Sequence, residues 1–309
     1  LVFFLGIALL LPMLVALLYG EPEWWTFGVT ALGSLIIGTV AWIQRSRSQT
    51  ELQIRDGFAI VAMAWVVLSL IGALPFVMGG VLESYTDAFF ETMSAFTTTG
   101  STIFGGAGNP DIEDVPHAFL FWRSLAHWIG GMGIIVLTLA ILPLLGVGGM
   151  QLYKAEVPGP SADKLTPRVQ ETAKRLWMIY VGITFVEFLV LLPAMNTFDA
   201  INHAFATMAT GGFSTKNGSV GQFGSAYIDW VITIFMFLAG VNFALHFRML
   251  RGKAITVFRD TEFRVYVGIT LVATLLITIG TWAPAMGYLP SYETEGGFLG
   301  YATFMESLR

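Results

Sequence analysis

Residues 87–102 read Asp-Ala-Phe-Phe-Glu-Thr-Met-Ser-Ala-Phe-Thr-Thr-Thr-Gly-Ser-Thr, a short apolar run that leads into a Thr/Gly segment. A related stretch, residues 199–215, reads Asp-Ala-Ile-Asn-His-Ala-Phe-Ala-Thr-Met-Ala-Thr-Gly-Gly-Phe-Ser-Thr. Both begin with Asp-Ala, both place a glycine 13 residues after the aspartate (87 to 100, 199 to 212), and both place a threonine two residues before that glycine. The two stretches form an internal repeat in which position 87 corresponds to position 199, and repeats of this kind reveal the architecture of a chain.

The apolar part of each stretch is too short to cross a membrane and too apolar for a simple loop. About 11 helical residues rise ~16 Å, roughly half of the ~30 Å hydrocarbon core. We therefore predict two pore helices, over 87–97 and 199–209, that enter the membrane and end inside it. Irregular loops with Ser/Thr-rich turns are the alternative interpretation.

The segments that follow these helices, 98–102 and 210–215, are here named the first and second candidate filters. Non-helical backbone at membrane depth is tolerated only where protein shields it or it lines a water-filled cavity. Glycine permits backbone angles that turn successive carbonyl oxygens toward one axis, and such oxygens replace the hydration shell of a permeating cation. The partially negative C-terminal end of each short helix also favours a cation at this place.

The composition of the chain is that of a membrane protein. Of its 309 residues, 55% are hydrophobic and only 12% are charged, about half the charged fraction of a soluble domain, and the mean hydropathy is +0.70. The sequence has no cysteine, which excludes disulfides, thiolate catalysis and cysteine-ligated metals. We predict an all-α polytopic membrane protein.

About seven runs of apolar residues are long enough to span a bilayer. They are Leu1–Tyr19, Trp25–Ile43, Phe58–Met78, Phe119–Leu145, Leu176–Pro193, Ile228–Phe247 and Val265–Ala283. Together with the two pore helices, they give a span–pore loop–span pattern that occurs twice.

The basic residues are concentrated in alternate loops. Thirteen of the 16 lysines and arginines lie between spans two and three, four and five, or six and seven: Arg45, Arg47, Arg55, Lys154, Lys164, Arg168, Lys174, Arg175, Arg248, Arg251, Lys253, Arg259 and Arg264. The positive-inside rule places these loops in the cytoplasm and both pore loops on the outer side.

Several motifs together resemble the Trk/Ktr/HKT superfamily of potassium transporters, and its bacterial TrkH branch most closely. They are Phe96-Thr-Thr-Thr-Gly-Ser-Thr102, His127-Trp-Ile-Gly-Gly-Met-Gly-Ile134, Tyr153-Lys-Ala-Glu-Val-Pro-Gly-Pro160, Ala209-Thr-Gly-Gly-Phe-Ser-Thr215 and Gly240-Val-Asn-Phe-Ala-Leu-His-Phe247. The resemblance extends over the whole chain. It implies a potassium-channel-like architecture of four span–pore loop–span repeats around one pore.

On this resemblance, residues 1–50 are the family's N-terminal helical hairpin. Residues 51–160 are the first repeat, 161–255 the second, and 256–309 the start of a third, of which Phe298–Arg309 resembles the beginning of a pore helix. The family's fourth repeat and its intramembrane gating loop have no counterpart in the sequence, so we expect the chain to be part of a longer protein.

The resemblance also implies the chemistry of the candidate filters. The residues that match the family's potassium filter are Thr98, Thr99, Gly100, Thr210, Gly211 and Gly212. In plant relatives a serine in place of the first filter glycine accompanies sodium preference, so Gly100 favours potassium as the transported ion. The family further implies two protein partners, a second copy of the chain in a homodimer and a cytoplasmic ring of nucleotide-binding regulatory subunits, and no nucleic-acid partner. It also implies that the protein lies in the lipid of the bacterial cytoplasmic (inner) membrane.

Other polar residues have structural interpretations. We expect Arg123 to pair with an acid such as Glu91, and Lys216 to be a solvated loop residue. Glu187 is the one acid well inside a span, with snorkelling or an interhelix hydrogen bond weighed against a role in the ion pathway. The Gly130-Gly131-Met132-Gly133 cluster predicts close packing against a pore helix.

Two other functional classes remain as alternatives to a channel-like pore. An alternating-access cation carrier uses broken helices in inverted repeats, whereas both pore loops here keep one orientation. An intramembrane enzyme needs a catalytic constellation, and the sequence contains none, so we expect no enzyme activity. The histidines His117, His127, His203 and His246 show no metal-ligand spacing and are expected to be structural.

Overall fold

The computed structural model describes residues 1–44, 54–106, 108–141, 165–252 and 254–285, and every regular element in these ranges is a helix. The α-helices are α1 Val2–Tyr19, α2 Trp24–Gln44, α3 Ile54–Gly72, α4 Leu74–Met78, α5 Tyr85–Phe96, α6 His117–Ile141, α7 Leu165–Leu191, α8 Thr197–Met208, α9 Ala226–Gly240, α10 Phe243–Leu250, α11 Ala254–Phe258 and α12 Thr261–Ala285. Two 3₁₀ turns, Ile112–Asp114 and Ser219–Phe223, lie in the loops. Arg45, Arg47, Lys154, Lys164, Lys253, the stretch Tyr153–Pro160 and the predicted pore helix Phe298–Arg309 lie outside the described residues.

Helices α1 and α2 pack closely against each other along small residues. Gly20 ends α1 with a left-handed φ of 71°, a conformation that glycine adopts without steric cost. A Cβ atom on Gly38 would lie 2.5 Å from the backbone nitrogen of Phe3, and one on Gly6 would lie 2.9 Å from the carbonyl oxygen of Ala31. Glycine at these positions lets the two backbones approach, as is typical of helix pairs in membranes.

The third predicted span is interrupted. Helix α3 ends at Gly72 and α4 begins at Leu74, with Pro75 in its first turn. Proline has no amide N–H and is favoured at the start of a helix, so the chain begins a new helix here. The apolar part of the pair, Ala62–Met78, is shorter than a full span.

The sixth predicted span, Ile228–Phe247, is broken into two helices. Helices α9 and α10 meet at an angle of 98°, because Val241 between them is extended with φ −77° and ψ 136°. The side chain of Asn242 accepts a hydrogen bond from the Ala244 amide at 3.0 Å and so caps α10. The ring nitrogen Nε2 of His246 lies 2.9 Å from the carbonyl oxygen of Leu238, which also accepts the Val241 amide at 3.2 Å.

Within the described residues, three helices are long and apolar enough to cross a membrane: α1, α2 and the segment Thr261–Gly280 of α12. The bent pair α9–α10 is a fourth if it is counted as one span. Helices α6 and α7 occupy the positions of the fourth and fifth predicted spans.

Helix α6 lies between the short helices α5 and α8 and contacts both. The predicted close packing of its glycines is confirmed. A Cβ atom on Gly130 would overlap with the carbonyl oxygen of Phe96 at the end of α5, and one on Gly131 would lie 2.9 Å from the Cα atom of Ala209 after α8. The two candidate filters therefore follow α5 and α8 where both helices end against one helix, α6.

Candidate functional site

The two short helices begin with the same kind of side-chain cap. Ser84 caps α5 and accepts a hydrogen bond from the Asp87 amide at 3.4 Å, and Asn196 caps α8 and accepts one from the Asp199 amide at 2.8 Å. Both aspartates lie in the first helical turn, where a negative charge is favourable. The two caps occupy corresponding positions of the internal repeat, because each lies three residues before its aspartate.

The backbone leaves both helices through matching hydrogen bonds. The amide of Thr99 donates to the carbonyl oxygen of Ser94 at 2.9 Å, and the amide of Gly211 donates to that of Ala206 at 2.9 Å. These bonds span five residues and close the last turn of each helix. The backbone therefore passes from helix to candidate filter with the same hydrogen-bond pattern in both cases.

Both candidate filters turn in the left-handed region of backbone space. Thr98 has a φ of 54° and Thr210 a φ of 56°, although the left-handed region costs a non-glycine residue about 1–2 kcal/mol. Gly100 and Gly212 follow with φ of 76° and 89°. Two residues of unusual conformation thus recur at the same two positions of each candidate filter, which turns the backbone sharply as soon as the helix ends.

Gly100 and Gly211 bring the candidate filters into contact. A Cβ atom on Gly100 would overlap with the carbonyl oxygen of Gly211. A Cβ atom on Gly211 would in turn lie 2.5 Å from Nδ1 of the buried His127 ring. Any side chain at either position would push the two segments apart or displace the ring.

Of the six residues predicted to hold the ion, the structure therefore brings Gly100 and Gly211 together directly. Thr99, Thr210 and Gly212 are exposed, whereas Thr98 is half-buried. The hydroxyl groups of Thr97 and Thr99 lie 2.8 Å apart, so the Thr99 side chain is engaged within its own segment.

Buried charges support the first candidate filter. The hydroxyl of Thr102 donates to the Glu91 carboxylate at 3.0 and 3.1 Å, and the Ile103 amide donates to it at 3.1 Å. Nε of Arg123 donates to the same carboxylate at 2.6 Å, and its Nη2 donates to the Thr102 hydroxyl at 3.0 Å. The predicted pair of Arg123 with Glu91 is confirmed, and the side chains of these two residues are 2% and 0% exposed.

Different side chains make the equivalent contacts in the second candidate filter. His203, which corresponds to Glu91 in the internal repeat, places Nε2 3.0 Å from the hydroxyl of Ser214. The Ser214 hydroxyl accepts the amide of Lys216 at 3.0 Å, as the Thr102 hydroxyl accepts that of Phe104 at 3.2 Å. In addition, Thr215 donates to the Asp199 carboxylate at 2.6 Å.

Sequence reasoning missed the role of Phe213, the residue of the second candidate filter that packs against α6. The guanidinium of Arg123 lies 4.1 Å from the centroid of the Phe213 ring, and the ring of His127 stacks on it at 4.0 Å with an interplanar angle of 25°. Arg123 and His127 are four residues apart on α6 and therefore share one face. The sequence contains that spacing, but nothing in it indicates that Phe213 lies opposite.

The loops beyond the candidate filters are also joined. Lys216 donates to Glu113 at 3.3 Å, so it is engaged in an ion pair and is not simply solvated. Gln222 donates to the two oxygens of Glu113 at 3.1 and 3.0 Å, and the Ile112 amide donates to the side chain of Asn217 at 2.8 Å. These contacts connect the segment after the first candidate filter to the segment after the second.

Glu187 is fully buried in α7, and neither of its carboxyl oxygens has a hydrogen-bond partner among the described residues. Snorkelling to the membrane surface, one of the two structural roles expected from the sequence, is therefore wrong. His117, one of the histidines expected to be structural, stacks on Tyr19 at 4.0 Å and contacts Glu21 at 3.0 Å.

Comparison with known proteins identifies the family. The TrkH family, described as a cation transport protein, matches residues 27–281. The Trk system potassium uptake protein TrkH of Salmonella typhimurium is 47% identical over 278 residues, which are 89% of this chain and 56% of that protein. The TrkG protein of Escherichia coli is 37% identical over 304 residues, or 97% of this chain and 60% of that protein.

A solved structure agrees with these matches. The crystal structure of the potassium transporter TrkH from Vibrio parahaemolyticus superposes with a TM-score of 0.80 at 38% identity, covering 94% of this chain and 58% of that one. The chain thus spans somewhat more than half the length of the relatives it matches. The family match over most of the chain, the shared fold and the all-α polytopic architecture agree, and we conclude that the chain belongs to the TrkH family of cation transport proteins.

Proposed function

We propose that this chain forms part of a potassium uptake system, in which potassium ions cross the cytoplasmic membrane through a channel-like pore. The relatives are named as potassium uptake proteins. The observation that carries the proposal is the contact between the two candidate filters at Gly100 and Gly211, where each segment leaves no room for a side chain. Such crowding is what a narrow passage lined by backbone requires.

In this proposal the carbonyl oxygens of the two candidate filters replace part of the hydration shell of the ion. The residues that supply them are Thr98, Thr99, Gly100, Thr210, Gly211 and Gly212. Helices α5 and α8 end at the candidate filters, so their partially negative C-terminal ends add to the attraction for a cation. Potassium is here the transported substrate, and no enzyme activity is proposed.

The proposed orientation places α5, α8 and both candidate filters on the outer side. Among the described residues, four arginines occur at or after the end of α9, namely Arg248, Arg251, Arg259 and Arg264. Residues 79–116, which precede α6, contain no arginine or lysine and include the acids Glu83, Asp111, Glu113 and Asp114. This asymmetry favours a cytoplasmic location for the first group and an outer location for the second.

The division into a hairpin (1–50), two repeats (51–160 and 161–255) and the start of a third (256–309) is part of the same proposal. The matched caps and helix-end hydrogen bonds of α5 and α8 support it. We further propose a homodimer in the bacterial inner membrane, surrounded by lipid, and a ring of nucleotide-binding regulatory subunits on the basic cytoplasmic face.

Ion flux tests the proposal. The protein, expressed from its complete gene and reconstituted in liposomes, is loaded with potassium or sodium, and the two fluxes are compared. We expect Gly100→Ser to lower the potassium-to-sodium flux ratio by about tenfold, because the serine Cβ overlaps with the Gly211 carbonyl oxygen that the ion would contact.

Gly108→Ser is the matched control. Gly108 also has a positive φ, of 87°, but a side chain there would meet no atom within 4 Å, so the variant has similar backbone strain away from the candidate filters. An unchanged flux ratio in Gly100→Ser, or an equal change in Gly108→Ser, would contradict the assignment. Flux that stops without a co-transported or exchanged ion would favour an alternating-access carrier.

A further inference from the structure

Arg123 contacts residues that belong to both candidate filters. On one side its guanidinium donates to Glu91 at 2.6 Å and to Thr102, the last residue of the first candidate filter, at 3.0 Å. On the other side it lies 4.1 Å from the ring centroid of Phe213, the residue that follows Gly212 in the second candidate filter. The side chains of Arg123 and Glu91 are both buried, so water screens the attraction between their charges only weakly.

The charge of Arg123 is balanced at the site. Glu91 accepts from Arg123, and its carboxylate also accepts from Thr102 and from the Ile103 amide. A planar guanidinium can donate within its plane and stack through its face at the same time, which a lysine ammonium cannot do. The side chain thus suits a connection in which hydrogen bonds point to one segment and an aromatic ring lies on the face.

Two side chains of α6 contact the ring of Phe213. The guanidinium of Arg123 and the ring of His127 lie 4.1 and 4.0 Å from its ring centroid. Gly212, which has a φ of 89°, precedes Phe213 directly, and Gly211 lies against the first candidate filter. A shift of the Phe213 ring therefore changes the position of the backbone that touches Gly100.

The connection occurs once in the described part of the chain. Helix α9, which follows the second candidate filter as α6 follows the first, contains no arginine or lysine. The contacts of Glu91 and Thr102 have counterparts in His203 and Ser214, whereas the guanidinium has none. Arg123 is thus an addition to the shared pattern rather than a part of it.

We propose that Arg123 is a positioning residue that fixes the two candidate filters relative to each other, through Glu91 and Thr102 on one side and Phe213 on the other. The proposal rests on the proposed function, since it assumes that the two segments line one ion pathway. It assigns the selectivity of that pathway partly to side chains that do not touch the ion.

A double-mutant cycle on the flux ratio tests the proposal. The variants are Arg123→Lys, Phe213→Leu and the two combined, each in the protein expressed from its complete gene and reconstituted in liposomes. We expect each single change to lower the potassium-to-sodium ratio by about tenfold, and the double variant to show no more than either single one, because both remove the same contact.

Phe121→Leu is the matched control. Phe121 lies two residues before Arg123 on α6, and its ring centroid lies 6.0 Å from that of Phe205 on α8, so the change removes an aromatic contact of α6 without touching a candidate filter. The flux ratio of this variant is expected to stay within about twofold of the unmodified protein.

Three results would overturn the proposal: an unchanged ratio in Phe213→Leu, losses that multiply in the double variant, or an equal loss in Phe121→Leu. If Arg123→Lys does not elute as a folded protein in gel filtration, Phe213→Leu and its control decide alone. Gly100→Ser distinguishes a failure of the proposed function from a failure of the role of Arg123. If Gly100→Ser changes the flux ratio and Phe213→Leu does not, the role of Arg123 is refuted and the proposed function stands.

Discussion

The substitution Glu91→Gln tests how much the buried ion pair contributes to stability. The Glu91 side chain is 0% exposed and accepts hydrogen bonds from Arg123, from the Thr102 hydroxyl and from the Ile103 amide. Glutamine has the same shape but carries no charge, and one of the two carboxylate oxygens becomes an amide donor. The variant therefore leaves the Arg123 guanidinium buried without a counter-charge.

The size of the effect follows from this geometry. Removing one partner of a buried ion pair costs about 3–5 kcal/mol, because the remaining charge stays out of water. The amide group also faces donors that it cannot all accept, which adds to the loss. We expect Glu91→Gln to lower the free energy of unfolding by about 3–5 kcal/mol, measured by denaturant titration of the protein in detergent micelles.

Glu113→Gln provides the matched comparison. Glu113 pairs with Lys216 at 3.3 Å, but the two side chains are 36% and 31% exposed, so solvent screens the pair and its removal should shift the titration midpoint very little. The double variant Glu91→Gln/Arg123→Gln should lose less than the sum of its single changes, since no uncompensated charge remains. Equal shifts in Glu91→Gln and Glu113→Gln, or strictly additive losses in the double variant, would refute the reasoning.

Two further predictions concern helix packing and pH. Gly38→Ala should lower the free energy of unfolding, because its Cβ would lie 2.5 Å from the backbone of α1. Gly33→Ala, whose Cβ would have no neighbour within 4 Å, should be neutral or slightly stabilising. Denaturant titration of both variants checks this prediction. Hydrogen bonds from Gln222 and Lys216 and the charge of Lys216 lower the pKa of the Glu113 carboxyl below its ordinary value. The contact therefore stabilises the fold at pH values above the unfolded pKa of about 4.3, and this stabilisation is lost as the pH falls through the lower pKa of the folded state. Glu113→Gln should accordingly reduce the loss of stability seen on acidification below about pH 4.3.

Local features of the sequence predicted the elements around the candidate site. The helices predicted over 87–97 and 199–209 are observed at Tyr85–Phe96 and Thr197–Met208. Their positions could be predicted because a short apolar run between a cap and a Thr/Gly segment is a local signal. The ion pair of Arg123 with Glu91 could be predicted for a similar reason, since a charge in an apolar region needs a partner of opposite sign.

Two other features were not predictable from local pattern. The apolar run through α9 and α10 is as hydrophobic as a continuous span, and only the extended backbone at Val241 with the cap at Asn242 breaks it. The stacking of His127 and Arg123 on Phe213 depends on how α6 packs against a segment that lies far away in the sequence. Contacts of this kind are set by tertiary packing, which the spacing of α6 residues does not encode.

The two candidate filters resemble each other more in their contacts than in their residue types. Position 91 is a carboxylate and position 203 an imidazole, yet both hold the hydroxyl group eleven residues later, at Thr102 and Ser214. The requirement is that a polar group on the short helix holds the chain after the glycine, and an anion or a neutral ring meets it equally well. A buried carboxylate that stays ionised also needs a cation, whereas a neutral imidazole does not. The presence of Arg123 opposite Glu91 in α6, and the lack of any basic residue in α9, follow from that difference.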